Sequence, residues 1–169
     1  MIRTLGDVVK QPSIKLAPLS RPPRHGVYLW WPEKGLGWIH PDDIDRAEVL
    51  IPSSRVFCRR DIDTAYSLLS YGDTSIRVKP TMWYEVQSDG YELGDPIEVK
   101  SRMGKLKPFV ATIVDIFWNR QDRKIDYYLR AAGRRLKKAY RCEEFQPAMK
   151  LNEPMSVRQM ALLAKSRIR

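Results

Sequence analysis

A chain of 169 residues, 43% of them hydrophobic and five of them tryptophan, can bury the core of one domain or of two small ones. With 30% of its residues charged and no apolar run near the roughly 20 residues that span a bilayer, it does not read as a membrane protein. Its net charge of +10 is concentrated: residues 1–100 carry 13 Lys and Arg against 14 Asp and Glu, whereas residues 101–169 carry 17 against 6. A positive block of this kind attracts polyanions and steers their approach; nucleic acid is the commonest, and an acidic protein or anionic lipid meets the same field.

Residues 1–25 read as a proline-rich arm. Pro12, Pro18, Pro22 and Pro23 fix φ and remove backbone donors, so the segment is expected to be an extended strap or tail, with a proline-rich ligand for another protein as the alternative. It lacks the apolar stretch of a secretory signal, and the expected location is cytoplasmic, the nucleoid included. Cys58 and Cys142 read as reduced strand residues, far from the cysteine density of secreted disulfide scaffolds.

Residues 26–88 read as a small Trp-rich β module. Val27, Leu29 and Trp31 alternate with Tyr28 and Trp30, and a Pro-Glu-Lys-Gly turn predicts a hairpin into Leu36–Ile39. His40-Pro41-Asp42-Asp43 predicts a helical-turn start, with Pro41 pre-set in φ and the carboxylates at the positive end. Strands are expected at Glu48–Ile51, Arg55–Arg59, Ser75–Lys79 and Met82–Val86. Asp61 is expected to cap a short inserted helix, with Ile62, Ala65, Tyr66 and Leu69 at helical spacing and Gly72 closing it. Ser88-Asp89-Gly90 is the expected boundary.

Residues 91–147 carry both the longest β run and the densest positive charge. Pro96–Lys100 predicts a strand, and the region of Gly104 a loop. In Pro108–Trp118, strict alternation puts Phe109, Ala111, Ile113 and Phe117 on one face and Val110, Thr112, Val114, Ile116 and Trp118 on the other. A strand apolar on both faces is central or bent. After the polar loop Asn119–Lys124, Ile125, Tyr127 and Leu129 face one way and Asp126, Tyr128 and Arg130 the other. Ala132-Gly133 then turns the chain into Arg135–Arg141, with Leu136 and Tyr140 inward, and Glu143–Phe145 closes the module. Leu129, Ala132, Leu136, Ala139 and Tyr140 also fit helical spacing; the hairpin is preferred because the preceding strand needs a partner and Gly133 sits where a tight turn wants positive φ.

GDPIEV, then ATIVDI, YYL and a closing Glu-Glu-Phe is an order that resembles an SH3-like small barrel of the Tudor or KOW kind, over about residues 91–147. The first module, with GVYLWW, GLGWIHPDD and RVFCRR, is similar to a second barrel of the same general sort. The resemblance implies one or two small barrels, so that with the short inserted helix and the C-terminal helix read from the residues the expected fold is mainly β, α+β at most. It implies binding of RNA, DNA or peptide rather than catalysis, and it does not fix which residues touch the ligand.

Residues 154–169 predict a basic C-terminal helix. Ser156 with Gln159 forms a capping-box pattern, Val157, Met160, Ala161 and Ala164 an apolar stripe, and Arg158, Lys165, Arg167 and Arg169 a solvent-facing positive side.

The candidate binding ridge is Arg120, Arg123, Lys124, Tyr128, Arg130, Arg134, Arg135, Lys137, Lys138 and Arg141, interleaved with Trp118, Tyr127 and Tyr140. Guanidinium and ammonium groups donate to phosphates, and aromatic faces stack on unpaired bases. Core tyrosines and solvated charges are the plain alternative. The expected function is non-catalytic binding of RNA or DNA, with an adaptor for an acidic protein as the alternative. An enzyme is disfavoured by inventory: two histidines, no CxxC, no HExxH, no phosphate-binding glycine loop, and no cofactor or metal signature. His40 beside Asp42 reads as a cap before an acid/base pair. Cys58 beside Arg59 and Arg60 reads as inert before reactive. Trp30, Trp31, Trp38, Trp83 and Tyr84 read as core before a ligand cage.

Overall fold

The computed structural model describes residues 23–30, 37–62, 65–80, 83–101, 107–148 and 157–167. The protein is mainly β, and every strand pairing is antiparallel. The expected loop around Gly104, the Pro32–Gly35 turn, most of the proline arm and the Ser156 cap lie outside the described residues. No helix among those described is long and apolar enough to cross a membrane.

In the first half, β1 (Arg24–Tyr28) lies between β2 (Ser53–Asp61) and the two-residue β5 (Tyr84–Glu85). β2 continues into a meander with β3 (Ser67–Tyr71) and β4 (Thr74–Val78). Tyr28, Phe57, Leu69, Ile76 and Val78 of these strands close a core with Ile39, Ala47 and Ile51. Gly26 is required where β1 passes beneath β5: a Cβ there would collide with the Tyr84 carbonyl and come within 2.6 Å of the Trp83 ring.

Three expectations in this half are corrected. Glu48–Ile51 is not a strand, because α1 (Ile44–Leu50) follows directly on the 3-10 turn Pro41–Asp43, turns Ala47 into the core and stops before Pro52. The inserted helix after Asp61 is absent among the described residues: β2 runs through Asp61, and Leu69, assigned to that helix by its spacing, sits in β3 opposite Arg59. Nor do the described residues of 27–31 and 36–39 pair with each other as a hairpin. β1 takes β2 and β5 as neighbours, and Ile39 bridges Val78 of β4 instead.

The second half is organised on β7 (Phe109–Asn119), flanked by β6 (Pro96–Val99) and β8 (Lys124–Ala131). β9 (Arg134–Tyr140) pairs with β8, and a 3-10 turn, Cys142–Glu144, leads to β10 (Phe145–Pro147), which returns to β6. Cys142 therefore opens a turn rather than sitting in a strand. The 120–141 segment is a hairpin, closed by Ala132 (φ 48°) and Gly133 (φ 75°), the two positive values of a two-residue turn that follows the strand twist.

One irregularity in β7 corrects the alternation read from sequence. Ile113 stands opposite Leu129, but Asp115 stands opposite Tyr128, so one extra residue is accommodated at Val114. The bulge switches the faces. Ala111 and Ile113 before it, and Ile116 after it, all enter one core, whereas Phe117 turns to the opposite face from Ile113. That core also takes Ile125, Tyr127, Leu129 and Phe145, and Val27, Val56 and Val86 from the first half. β2 and β7 are themselves bridged at Arg55 and Phe117.

The C-terminal helix α2 (Val157–Arg167) forms as expected but docks on a different face. Val157 and Met160 are exposed and Leu162 is buried, close above Gly90. Arg158, one turn before Leu162, pairs with Asp95 at 2.8 Å and Glu92 at 3.2 Å and donates to the Gly90 carbonyl at 2.8 Å. Those contacts set the face, and the apolar stripe is left outside.

Candidate nucleic-acid interface

The hairpin distributes the ten ridge residues along its length. Arg120, Arg123, Lys124 and Arg141 gather at the β7–β8 turn, whereas Arg130, Arg134 and Arg135 lie at the β8–β9 turn. The seven steps of β8 separate these ends by roughly 23 Å at the usual strand rise. Lys137 and Lys138 lie between them on β9, which among the described residues pairs only with β8. Two residues of β9 beyond strict register are absorbed there, since Arg135 opposes Arg130 while Ala139 opposes Tyr128. The irregularity leaves both Lys137 and Lys138 exposed.

Charge compensation divides the set again. Arg135 reaches Asp115 at 2.8 Å, Lys138 reaches Glu144 at 2.7 Å, and Arg141 holds Asp122 and Asp126, each at 2.7 Å. Lys124 lies 3.5 Å from Glu143, whose carboxyl is held below its ordinary range by a backbone hydrogen bond and by that lysine. Arg120, Arg123, Arg130, Arg134 and Lys137 are exposed and make no ion pair with any described residue.

The aromatic residues also separate. Tyr127 is fully buried, packs edge-on against Phe145 and Tyr91 and donates to Asp89 at 3.1 Å; burial pushes its phenol far above the usual range. It is core, as the plain alternative held. Tyr140 is half-buried against the same core, with the Lys138 ammonium 4.5 Å above its ring.

Tyr128 belongs to neither core and faces outward beside Phe117, ring to ring at 5.6 Å and nearly perpendicular. The Arg135 guanidinium lies 5.1 Å over Tyr128, and that of Arg55 lies 5.7 Å over both Phe117 and Tyr71. Asp115 anchors this ladder. It holds Arg135 and accepts from the Tyr71 hydroxyl at 2.9 Å, which in turn accepts from the Ile116 amide at 3.0 Å. Phe117, Trp118, Arg120, Tyr128 and Arg135 line an open groove of about 520 Å³. Around the turn, Trp118 also lines a second groove of about 390 Å³ with Tyr84, Arg123, Lys124 and Arg141; Tyr84 and Trp118 stand 6.3 Å apart. Sequence reasoning missed Arg55 and Asp115 in this role. The signal was present, since Asp115 is the single charged residue in the run Phe109–Trp118 and marks the bulge that turns Phe117 outward.

The other candidates resolve into structure. His40 caps the 3-10 turn, its Nδ1 accepting from the Asp42 amide at 3.3 Å. Burial pushes the Cys58 thiol up, outweighing the nearby Arg60, so it does not resemble an activated thiolate. Trp38 and Trp83 pack on the first-half core, Trp30 and Tyr84 are exposed, and Trp31 lies outside the described residues.

No curated protein and no solved structure matches the chain. A family model does match, across residues 17–146, and its description is a family of unknown function, DUF6960. With most of its length inside that match, the chain belongs to the DUF6960 family.

Proposed function

We propose that this chain is a non-catalytic nucleic-acid-binding protein that contacts phosphates through the cations of its β7–β9 hairpins. The carrying observation is the set of five exposed cations, Arg120, Arg123, Arg130, Arg134 and Lys137, left without carboxylate partners among the described residues while the cations beside them are all paired. Cations compensated at home contribute little when a polyanion arrives, because each new contact displaces an old one. Uncompensated cations gain the full contact and release counterions from the nucleic acid. The order β6 to β9, a 3-10 turn and a short strand returning to β6 supports reading this half as an SH3-like barrel wall.

The test is fluorescence anisotropy of the whole chain with single-stranded and duplex RNA and DNA at two salt concentrations. A variant with the five cations changed to Ser is run beside it. Binding that falls steeply with salt, and a log-log slope that flattens by about 0.9 per lost contact on duplex DNA, supports the reading. The outer edge of β9, which no described strand pairs and along which Lys137 and Lys138 are exposed, favours a second reading: an acidic, extended peptide added as a further strand. No binding to any oligonucleotide at low salt sinks the first reading and makes an acidic-peptide titration the next measurement.

A further inference from the structure

The structure points to a more specific ligand for this interface: we infer that the two grooves meeting at Trp118 take an unpaired single strand wrapped around the β7–β8 turn. The inference rests on the nucleic-acid reading above and names the ligand class that reading leaves open. Its first support is that Tyr128, Phe117 and Tyr84 belong to neither core, although large aromatic rings on a small β protein ordinarily do. They are instead held in place on the outside. Arg135, fixed by Asp115, covers one face of Tyr128; Phe117 meets the ring edge to face; and Arg55 covers Phe117. Rings held this way lose little freedom when a planar ligand packs against them, which is the condition for stacking to contribute affinity.

The second support is the distribution of charge. Arg120 lines the Tyr128 groove and Arg123 the Tyr84 groove; both are exposed and neither forms an ion pair with a described residue. Of the carboxylates in the same linings, Asp126 is held by Arg141 and Glu143 by Lys124, and Glu85 and Asp89 stand at the Tyr84 side. Trp118 lines both. Aromatic rings therefore alternate with cations along a path from Tyr128 and Phe117, past Arg120 and Trp118, to Arg123 and Tyr84. A single strand alternates flat bases with anionic phosphates in the same way. A duplex keeps its bases stacked inside and offers those rings nothing; an acidic peptide would use the cations but not the rings.

The experiment is an anisotropy titration of the full chain with short unstructured RNA and DNA strands and the matching duplexes, at two salt concentrations. It is run for the unmodified protein, Tyr84→Ala, Tyr128→Leu, Tyr128→Phe and the pair Arg120→Ser with Arg123→Ser. Tyr84→Ala and Tyr128→Leu are each expected to weaken single-strand binding about thirtyfold, the middle of the range for a lost stacking contact, with the salt slope unchanged. Tyr128→Phe keeps its ring and its affinity. The arginine pair flattens the slope by about 0.7 per contact on single strands. A thermal melt identifies a Tyr128→Leu protein that does not fold, in which case exposed Tyr84 carries the test. Duplex binding as tight as single-strand binding, or aromatic variants that bind a single strand as well as the unmodified chain, overturns the inference and leaves phosphate binding standing. An unmodified chain that binds none of the four ligands overturns the nucleic-acid reading and this inference with it.

Discussion

Around α1 and β4, carboxylates enclose the cations, whereas around β8 and β9 the cations outnumber any carboxylate within reach. Asp43 is 1% exposed, accepts from the Arg77 amide at 2.8 Å and from Arg77 Nε at 2.7 Å, and also pairs with Arg46. Asp61 likewise gathers Arg59, Ser67 and Arg24. In the hairpin, by contrast, Arg130 stands directly opposite Arg135, and among the described residues only the latter has an acid, Asp115. The first arrangement joins α1 to β4 and serves the fold. The second leaves surface charge without a carboxylate partner among the described residues, open to a polyanion or to screening by salt.

The sharpest way to break the first arrangement is Asp43→Asn. Losing one member of a buried ion pair strands the other, and the expected loss is about 3 kcal/mol of unfolding free energy, read by urea denaturation. The charge also has a pH signature. Burial alone would raise the Asp43 carboxyl above its ordinary value, but the two Arg77 hydrogen bonds, with the Arg77 and Arg46 charges, outweigh it and hold the carboxyl below. A carboxylate with a folded pKa below its unfolded one stabilises the protein fully above the unfolded value, near 3.8, and that contribution disappears as pH falls through the folded value. Stability of the unmodified chain should therefore fall in acid, and the asparagine variant should lose part of that slope. An unchanged slope would show that other carboxylates carry the acid response.

Gly26→Ala comes next and connects the two regions. The new methyl meets the Tyr84 carbonyl and the Trp83 ring, so β5 must move, at an expected cost of about 1–3 kcal/mol. Because β5 carries Tyr84 to its groove, the same change should weaken single-strand binding while the five unpaired cations remain in place. A destabilised variant that binds normally would separate β5 from the interface.

Much of the second half was legible because its pattern was local. Ile125, Tyr127 and Leu129 alternate cleanly, and Gly133 accepts the positive φ that a tight turn wants, so β8, the turn and β9 follow from a dozen residues. The first half was less legible for an opposite reason. Leu69 fits a helical repeat with Ile62, yet it is buried as a strand residue because β2 and β4 flank it, pairings that no local spacing records. Glu48–Ile51 fails in the same way: Asp43, through Arg77 of a distant strand, anchors the turn from which α1 starts. The interface was legible in its cations and not in its geometry. Ten residues read as one ridge are spread along a hairpin, and the bulge that turns Phe117 away from the core depends on how β7 meets β8.

Arg130→Thr should produce the smallest change in stability, and its sign is informative. Arg130 is exposed, opposes Arg135 across the strands and makes no ion pair with a described residue. Like charges facing each other across strands destabilise a sheet by a few tenths of a kcal/mol, and threonine is well suited to a strand. The variant should therefore be more stable by about 0.5 kcal/mol at low salt, with the gain shrinking as salt screens the pair. If Arg130 contacts phosphate, the same variant should bind polyanions less tightly and with a flatter salt slope. A gain in stability joined to a loss of binding marks a residue kept against the interest of the fold, as functional positions are. Loss of stability instead would mean that Arg130 supports the hairpin, and would remove it from the interface.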